Sequence, residues 1–440
     1  MTVHRLVAGA WAAACGALYS AIAILRFDGV VPASYDHAIF EEAIRGYSRL
    51  HAPIVPIKGP GFNLLGDHFS PIIALVAPFY RVFPDARTLM VAQAVLLAMS
   101  VFIVTFLAWD VAGPWVGSAL GVTYGLSFGL LAAVRAGFHE VAFAAPLLAL
   151  AGAAFVHGRH RSVVGWSLPL LFVKEDLGLT VAAIGLALIF RGDRRRGSWL
   201  MIGGLAGVLV TIIVLIPLAR SGSGYAYGLG TGGILDDPRQ KLITLVFTLG
   251  VGGLVGLASP WILAIAPTLA WRFAADNPYY WGTDFHYSLV LMPIAAIATV
   301  DVIQRHRHLQ WPAVMLAIAF SIVTLSASPM IDRGDPDRRE AAAKVLAVVP
   351  EGTRVETDIG LMSQLVTGRD VTWVGTLGNP VPDWVVLDHD PSLHSPSDAA
   401  SYATARYHRQ YGTVVRIADF DVARDASSVE HREPRRAGHR

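Results

Sequence analysis

Five groups of ionisable residues interrupt an otherwise hydrophobic sequence, and their side chains suit acid–base and phosphate chemistry. They are Asp36, Asp67-His68, His139-Glu140, Lys174-Glu175-Asp176 and His286-Tyr287. Ionisable side chains at membrane depth are costly and are usually functional. A count of the apolar segments places all five groups at one face of a membrane. The sequence therefore predicts a single polar site at a membrane–water boundary.

The composition is that of an integral membrane protein. Only 15% of the 440 residues are charged, whereas soluble domains carry about 25%. A net charge of +2 gives no reason to expect nucleic acid as a partner. The single cysteine, Cys15, excludes a disulfide framework and a Cys-based metal site. The first apolar segment is too long for a signal-peptide core, and we interpret it as an uncleaved signal anchor.

We predict an all-α polytopic membrane protein with roughly eleven transmembrane helices. They lie near residues 6–25, 86–110, 115–133, 138–156, 162–173, 177–190, 198–219, 240–258, 259–270, 287–303 and 310–328. Short Arg-rich loops at Arg159, Arg194 and Arg305 should stay in the cytoplasm, together with the N-terminus. The spans 162–173 and 177–190 are too short to cross a hydrocarbon core of about 30 Å. The Lys174-Glu175-Asp176 triad between them is therefore expected below the outer surface.

The domain organisation follows from the same pattern. Residues 1–330 form a transmembrane domain whose long outer loop, 26–85, carries interfacial helices, one of them over 69–83. Residues 331–425 are predicted to form a small α/β extracytoplasmic domain. Its helices are expected at 335–349 and 397–411, and its strands at 354–357, 371–374, 384–387 and 413–417. Residues 426–440 are polar and are predicted to be disordered.

Each charged group also has a purely structural interpretation. Asp36 together with Ser34, and likewise Asp67-His68, could cap helices, because each precedes an amphipathic or apolar run. His139-Glu140 could simply mark the boundary of a helix. The triad at 174–176 could be a self-neutralised knot, a structural cluster whose charges neutralise one another. Neighbouring residues on a helix do not share a face, so His139 and Glu140 should reach different partners.

Two adjacent carboxylates, Glu41 and Glu42, are expected on a solvated helix face. They follow Asp36 on the same amphipathic run.

The motifs, in this order, resemble a bacterial multi-pass membrane family, domain of unknown function 2079. The matching segments are Asp36 to Phe40, Gly66 to Pro71, Phe138-His139-Glu140, Lys174 to Asp176 and His286-Tyr287. Two departures stand out: Ala38 replaces a Gly, and Glu140 stands where the family has a Pro before its Glu. The family in turn resembles the GT-C superfamily of membrane glycosyltransferases, which implies a GT-C-like fold.

The resemblance implies transfer of a sugar, with inversion, from a polyprenyl-phosphate donor to an acceptor hydroxyl at the outer face. The acceptor would be a cell-envelope glycan, lipid or protein. On this hypothesis Asp36 is the catalytic base. The residues that bind or orient the donor phosphate are Asp67, His68, His139, Glu140, Lys174, Glu175, Asp176, His286 and Tyr287. No cofactor is required, but a divalent metal ion is compatible with Asp67, His68, Glu175 and Asp176.

Two alternatives belong to other functional classes. One is a transporter or flippase for a charged or lipid-linked solute. Transporters usually place their site at the midplane between internal repeats, and this sequence has no evident repeat. The other is a non-catalytic receptor or scaffold, which leaves the Lys174-Glu175-Asp176 triad without a purpose.

Overall fold

The computed structural model describes residues 2–31, 35–220, 232–326, 331–391, 393 and 395–427, and helices dominate them. The first nine α-helices are α1 (Thr2–Asp28), α2 (Tyr35–Ser48), α3 (Ala77–Val82), α4 (Ala86–Ala112), α5 (Pro114–Gly125), α6 (Phe128–Ala136), α7 (Ala144–Val156), α8 (His160–Ser167) and α9 (Leu177–Phe190). The next nine are α10 (Arg194–Val210), α11 (Ile216–Ala219), α12 (Pro238–Gly250), α13 (Ala266–Ala274), α14 (Leu291–Arg305), α15 (Gln310–Ser326), α16 (Pro336–Val348), α17 (Met362–Leu365) and α18 (Ala399–Tyr407).

Six helices in the described residues are long and apolar enough to cross a membrane. They are Val3–Asp28, Ala86–Ala112, Pro114–Ala136, Arg194–Ala219, His286–Arg305 and Arg307–Ser326, counting joined helices as one. Each corresponds to one of the predicted spans. The other five predicted spans are shorter or broken elements, such as α9 with its 14 residues. The chain is therefore a polytopic membrane protein, and the count of eleven stays a prediction.

Five strands form one small mixed sheet. They are β1 (Arg354–Thr357), β2 (Asp370–Trp373), β3 (Trp384–Asp388), β4 (Tyr411–Ile417) and β5 (Phe420–Asp425). The order is β2-β1-β3-β5-β4, with β1 parallel to β2 and β3, and β5 antiparallel to β3 and β4. The four predicted strands are confirmed, and β5 was missed. The predicted helices at 335–349 and 397–411 correspond to α16 and α18.

The chain divides into two compact units. The first comprises Met1–Ala23, Asn63–Pro78 and Arg87–Met330, and the second comprises Ile24–Phe62, Phe79–Ala86 and Ile331–Arg440. The second unit thus combines the end of α1, α2 and much of the first loop with the C-terminal sheet. Of the predicted disordered tail, only Ala426 and Ser427 are among the described residues.

In the first unit, α9 packs closely against α10 through small residues. A side chain at Gly185 would collide with the backbone of Met201, and one at Gly204 with the backbone of Ala182. Small residues let membrane helices approach this closely. The contact fixes the start of α9, which the Lys174-Glu175-Asp176 triad immediately precedes.

In the second unit, α2 buries charged side chains. Glu41 and Glu42 are 0% and 1% exposed, so their interpretation as a solvated face is wrong. The hydroxyl of Thr367 donates to Glu41, and the backbone N–H of Ile57 donates to Glu42. These partners come from distant stretches of the sequence, so the amphipathic pattern of α2 alone could not reveal them.

Candidate functional site

The centre of the first unit holds a buried ion pair between two of the predicted site residues. Nζ of Lys174 lies 3.0 Å from Oε1 of Glu140, and the two side chains are 13% and 2% exposed. Glu140 begins the 3-10 turn before α7, and Lys174 lies just before α9. The triad at 174–176 is therefore not a self-neutralised knot, because its lysine pairs with another group.

A second pair links the triad to the Asp67-His68 group. Nδ1 of His68 lies 2.7 Å from Oε1 of Glu175, and the backbone N–H of Phe69 donates to the other carboxylate oxygen at 3.1 Å. Burial lowers the pKa of His68 and is the largest single effect, but the charge of Glu175, its hydrogen bond to the ring and the charge of Asp67 together raise that pKa above its ordinary value. The pair therefore favours a protonated imidazole.

A third contact joins His139 to His286. Their rings stack with centroids 3.5 Å apart and planes at 26°, and both residues are buried. Nδ1 of His139 lies 3.0 Å from the carbonyl oxygen of Gly137. A carbonyl can only accept, so Nδ1 is the donor in this contact. The ring of Tyr287 lies 4.2 Å from that of His286.

These three contacts connect four of the five charged groups into one buried chain. The three contacts can coexist because the side chains of residues adjacent in the sequence point in different directions. His139 contacts His286 while Glu140 contacts Lys174, and Lys174 contacts Glu140 while Glu175 contacts His68. The expectation that His139 and Glu140 reach different partners is confirmed.

The two remaining carboxylates near these pairs are Asp67 and Asp176. Asp67 is 6% exposed and follows the 3-10 turn Leu64–Gly66, while Ser70 occupies the N-cap position of the next turn. Asp67 is therefore not the N-cap of the following helix. Oδ1 of Asp176 is buried and accepts no hydrogen bond within the described part of the chain.

An orphaned carboxylate oxygen is the kind of group that a cation satisfies. Asp67, His68 and Asp176 offer two carboxylates and an imidazole, donor types that a divalent ion accepts, but among the described residues their ligand atoms do not converge on one point as a metal site requires. Glu175 fits less well, because His68 and Phe69 already engage both of its oxygens.

Asp36 belongs to the second unit. It is the second residue of α2, which begins at Tyr35, and it is partly buried. It therefore lies inside the first helical turn and is not the N-cap. Ser34, which was considered as a cap with it, lies outside the described residues.

The side chain of Gln93 on α4 positions the His139 segment, and sequence reasoning missed it. Its Nε2 donates to the carbonyl oxygens of Ala133 and Gly137 at 3.0 and 2.9 Å, and its Oε1 accepts from the backbone N–H of His139 at 3.0 Å. One amide thus bridges the end of α6 and the turn that carries His139. The clue was a lone Gln in a long apolar helix, since buried amides need partners.

Arg272 plays the corresponding role for His286. It is fully buried, and its guanidinium donates to the carbonyl oxygens of Tyr280 and Gly282 at 2.7 and 2.6 Å and to Oγ of Ser288 at 3.1 Å. These bonds fix the loop that presents His286. The clue in the sequence was a single Arg at the end of an apolar segment.

The structure resembles solved structures of ArnT from Cupriavidus metallidurans. The apo form has 12% identity and a TM-score of 0.52, and the form bound to undecaprenyl phosphate has 12% identity and a TM-score of 0.51. Each alignment covers 94% of this chain and 98% of the ArnT chain. At this identity the likeness shows that the two proteins share a fold, and a fold can host several functions.

The sequence comparisons give the family. No curated protein matches the chain by sequence. The model of the family described as predicted membrane protein (DUF2079) matches residues 28–415, which is most of the chain. The chain therefore belongs to the DUF2079 family of membrane proteins, as its motifs predicted.

Proposed function

We propose that this protein is a GT-C type membrane glycosyltransferase. It transfers a sugar, with inversion, from a polyprenyl-phosphate donor to an acceptor hydroxyl at the outer face of the cell membrane. The ArnT-like fold supports this proposal, since one of the ArnT structures holds undecaprenyl phosphate. The acceptor would be a cell-envelope glycan, lipid or protein.

The observation that carries the proposal is the buried chain of contacts from His68 to His286. Lys174 and His68 are basic groups held by Glu140 and Glu175, in a part of the protein from which water is largely excluded. Preorganised cations in such surroundings stabilise charge that develops on a leaving group. The leaving group of the proposed reaction is a polyprenyl phosphate, which gains negative charge as the glycosidic bond breaks.

In the proposed reaction Asp36 acts as the base. The acceptor oxygen bonds to the anomeric carbon while its proton passes to the Asp36 carboxylate. The bond between that carbon and the phosphate oxygen breaks, and the phosphate departs with the electron pair. A carboxylate placed beside the acceptor suits this step. Lys174, His68, His139 and His286 then bind the phosphate, and Tyr287 packs against the last of them.

Asp67 and Asp176 orient the cations that bind the donor phosphate. Glu175 acts by orienting His68.

The proposed topology places the N-terminus and the loops at Arg159, Arg194 and Arg305 in the cytoplasm. Residues 335–425 lie outside. The support is the agreement between the Arg-rich loops and the span count.

The experiment compares variants for sugar transfer in membranes that contain radiolabelled undecaprenyl-phosphate sugars. Asp36→Asn should bind the donor normally yet transfer sugar roughly 10²-fold more slowly, the usual cost of losing a general base. Asp67→Asn should instead weaken donor binding. The matched control is Asp337→Asn, which alters an exposed aspartate that also lies in the first turn of a helix.

Near-normal transfer by Asp36→Asn would remove Asp36 from the mechanism. Movement of the intact donor lipid across the membrane, with no sugar transferred by the wild-type protein, would favour the flippase alternative.

A further inference from the structure

The helix that carries Asp36 is tied to the C-terminal domain by a buried arginine. Nη1 of Arg45 donates to the carbonyl oxygens of Val366 and Arg369 at 2.8 and 2.9 Å. Both acceptors lie in the turn between α17 and β2, and the Arg45 side chain is only 14% exposed. Hydrogen bonds from a charged donor are stronger than neutral ones, so this contact anchors α2 firmly.

Glu41 makes a second connection to the same turn. Its Oε1 accepts from the hydroxyls of Thr367 at 2.5 Å and Tyr80 at 2.9 Å. The residue is 0% exposed, and Oε2 has no hydrogen bond among the described residues. Burying a carboxyl group is unfavourable unless it is well paired. The packing of α2 against the turn must therefore be favourable enough to offset this penalty.

The turn itself is held rigidly within its domain. The guanidinium of Arg369 donates to the carbonyl oxygens of Val349 and Leu346, which end the α16 segment. β2 begins at Asp370 and lies parallel to β1. The acceptors that α2 uses are therefore part of the sheet and helix framework of the domain.

Two further contacts within the second unit hold the chain close to Asp36. The ring of Tyr35, the residue before it, packs edge-on against Trp373 at 5.2 Å. Nε2 of Gln364 donates to the carbonyl oxygen of Phe27, near the end of α1. The start and the middle of α2 are thus both fixed to the C-terminal domain.

We propose that the C-terminal domain is a positioning element for Asp36, acting through Arg45, Glu41 and Thr367. This inference rests on the proposed role of Asp36 as the base. Asp36 and Glu41 are five residues apart on one helix, about 7.5 Å along its axis. A continuous helix transmits such an anchor because its backbone hydrogen bonds resist bending. Arg45, Glu41 and Thr367 are positioning residues and do not contact the substrate.

The test uses Thr367→Val and Arg45→Met in the full-length protein. The matched control is Thr413→Val, the same substitution on an exposed position of β4. Hydrogen–deuterium exchange should quicken about tenfold in residues 35–48 of both test variants, the effect of losing roughly one net hydrogen bond. Transfer should slow through kcat, with the KM for the lipid-linked donor unchanged. The control should match the wild type in both measurements.

A double variant separates positioning from general damage. If Thr367 acts through Asp36, Thr367→Val should slow the wild-type protein but should not slow Asp36→Asn further. Wild-type exchange in α2 of both test variants would overturn the proposal, and so would an equal loss of rate in the Asp36→Asn background. Normal transfer by Asp36→Asn with faster exchange in Thr367→Val would overturn the proposed base and leave the anchoring of α2 supported.

Discussion

Replacing Lys174 with Met should destabilise the protein, because it leaves the Glu140 carboxylate buried without its cation. The two charges lie 3.0 Å apart, and the Glu140 side chain is 2% exposed. At an effective dielectric constant of 20, their attraction is about 5.5 kcal/mol. Desolvation of both groups offsets much of that, and breaking a buried pair costs about 3–5 kcal/mol. The folded-to-unfolded ratio should fall roughly 10²- to 10⁴-fold.

Thermal and denaturant unfolding of the purified protein in detergent measures this loss. The double variant Lys174→Met with Glu140→Gln should recover part of the stability, because it removes the unpaired charge of Glu140, although Asp176 and Glu175 still lose the attraction of Lys174. Lys344→Met is the control, since Lys344 pairs with Glu340 on the surface, where the two side chains are 56% and 70% exposed. Surface pairs contribute about 0–1 kcal/mol.

Two results would refute the reasoning about this pair. One is a Lys174→Met protein that unfolds at the wild-type midpoint. The other is a double variant that is as unstable as the single one, which would show that Lys174 matters through packing and not through its charge.

Three further predictions concern other parts of the chain. A cysteine replacing the exposed Ser397 should react with a membrane-impermeant thiol reagent in intact cells, and reaction only after lysis would contradict the proposed topology. Burial raises the pKa of Glu41 to about 7 and of Glu42 to about 8, so the contribution of these two protonated groups to the stability of the second unit should be complete below about pH 4.5, the ordinary carboxyl value, and should be lost as the pH rises through 7 to 8. The protection of residues 35–48 against amide exchange, corrected for the intrinsic pH dependence of exchange, reports this. A pH-independent protection factor would exclude it, whereas the double variant with Gln at both positions should flatten the profile. Arg272→Lys loses the forked bonds that fix the His286 loop, so limited proteolysis at 276–285 should quicken, and unchanged cleavage would argue against that role.

The sequence revealed those site residues that stand out from an apolar background. Lys174 and Glu175 interrupt a hydrophobic sequence, so a solvent-exposed helix face could not explain their charges. Their partners could not be read in the same way, because Glu140 and His68 lie far away along the chain. Pairing depends on helix packing, such as the close contact at Gly185, and a sequence pattern of period 3.6 carries no information about it.

The misreading of Glu41 and Glu42 has a similar origin. Acidic residues on an amphipathic helix usually face solvent, and the partners that Glu41 and Glu42 find in the fold, one of them 326 positions later, could not be read from that pattern. The strand β5 was missed because Phe420–Asp425 alternates poorly and carries three charged residues. All but one of its residues are nevertheless buried, and Oδ2 of Asp421 accepts hydrogen bonds from Arg416 and from the backbone N–H of Ala399.

The long separation between Glu41 and Thr367 also has a consequence during synthesis. These residues are 326 positions apart, so at about 5–20 residues per second the ribosome needs roughly 16–65 s to supply the partner. During that interval Glu41 and Glu42 remain in water and ionised. Charged carboxylates strongly oppose insertion of a helix into the bilayer. The charges of the nascent α2 thus oppose its entry into the bilayer, and Glu41 gains its partner Thr367 only when the C-terminal part of the chain has been made.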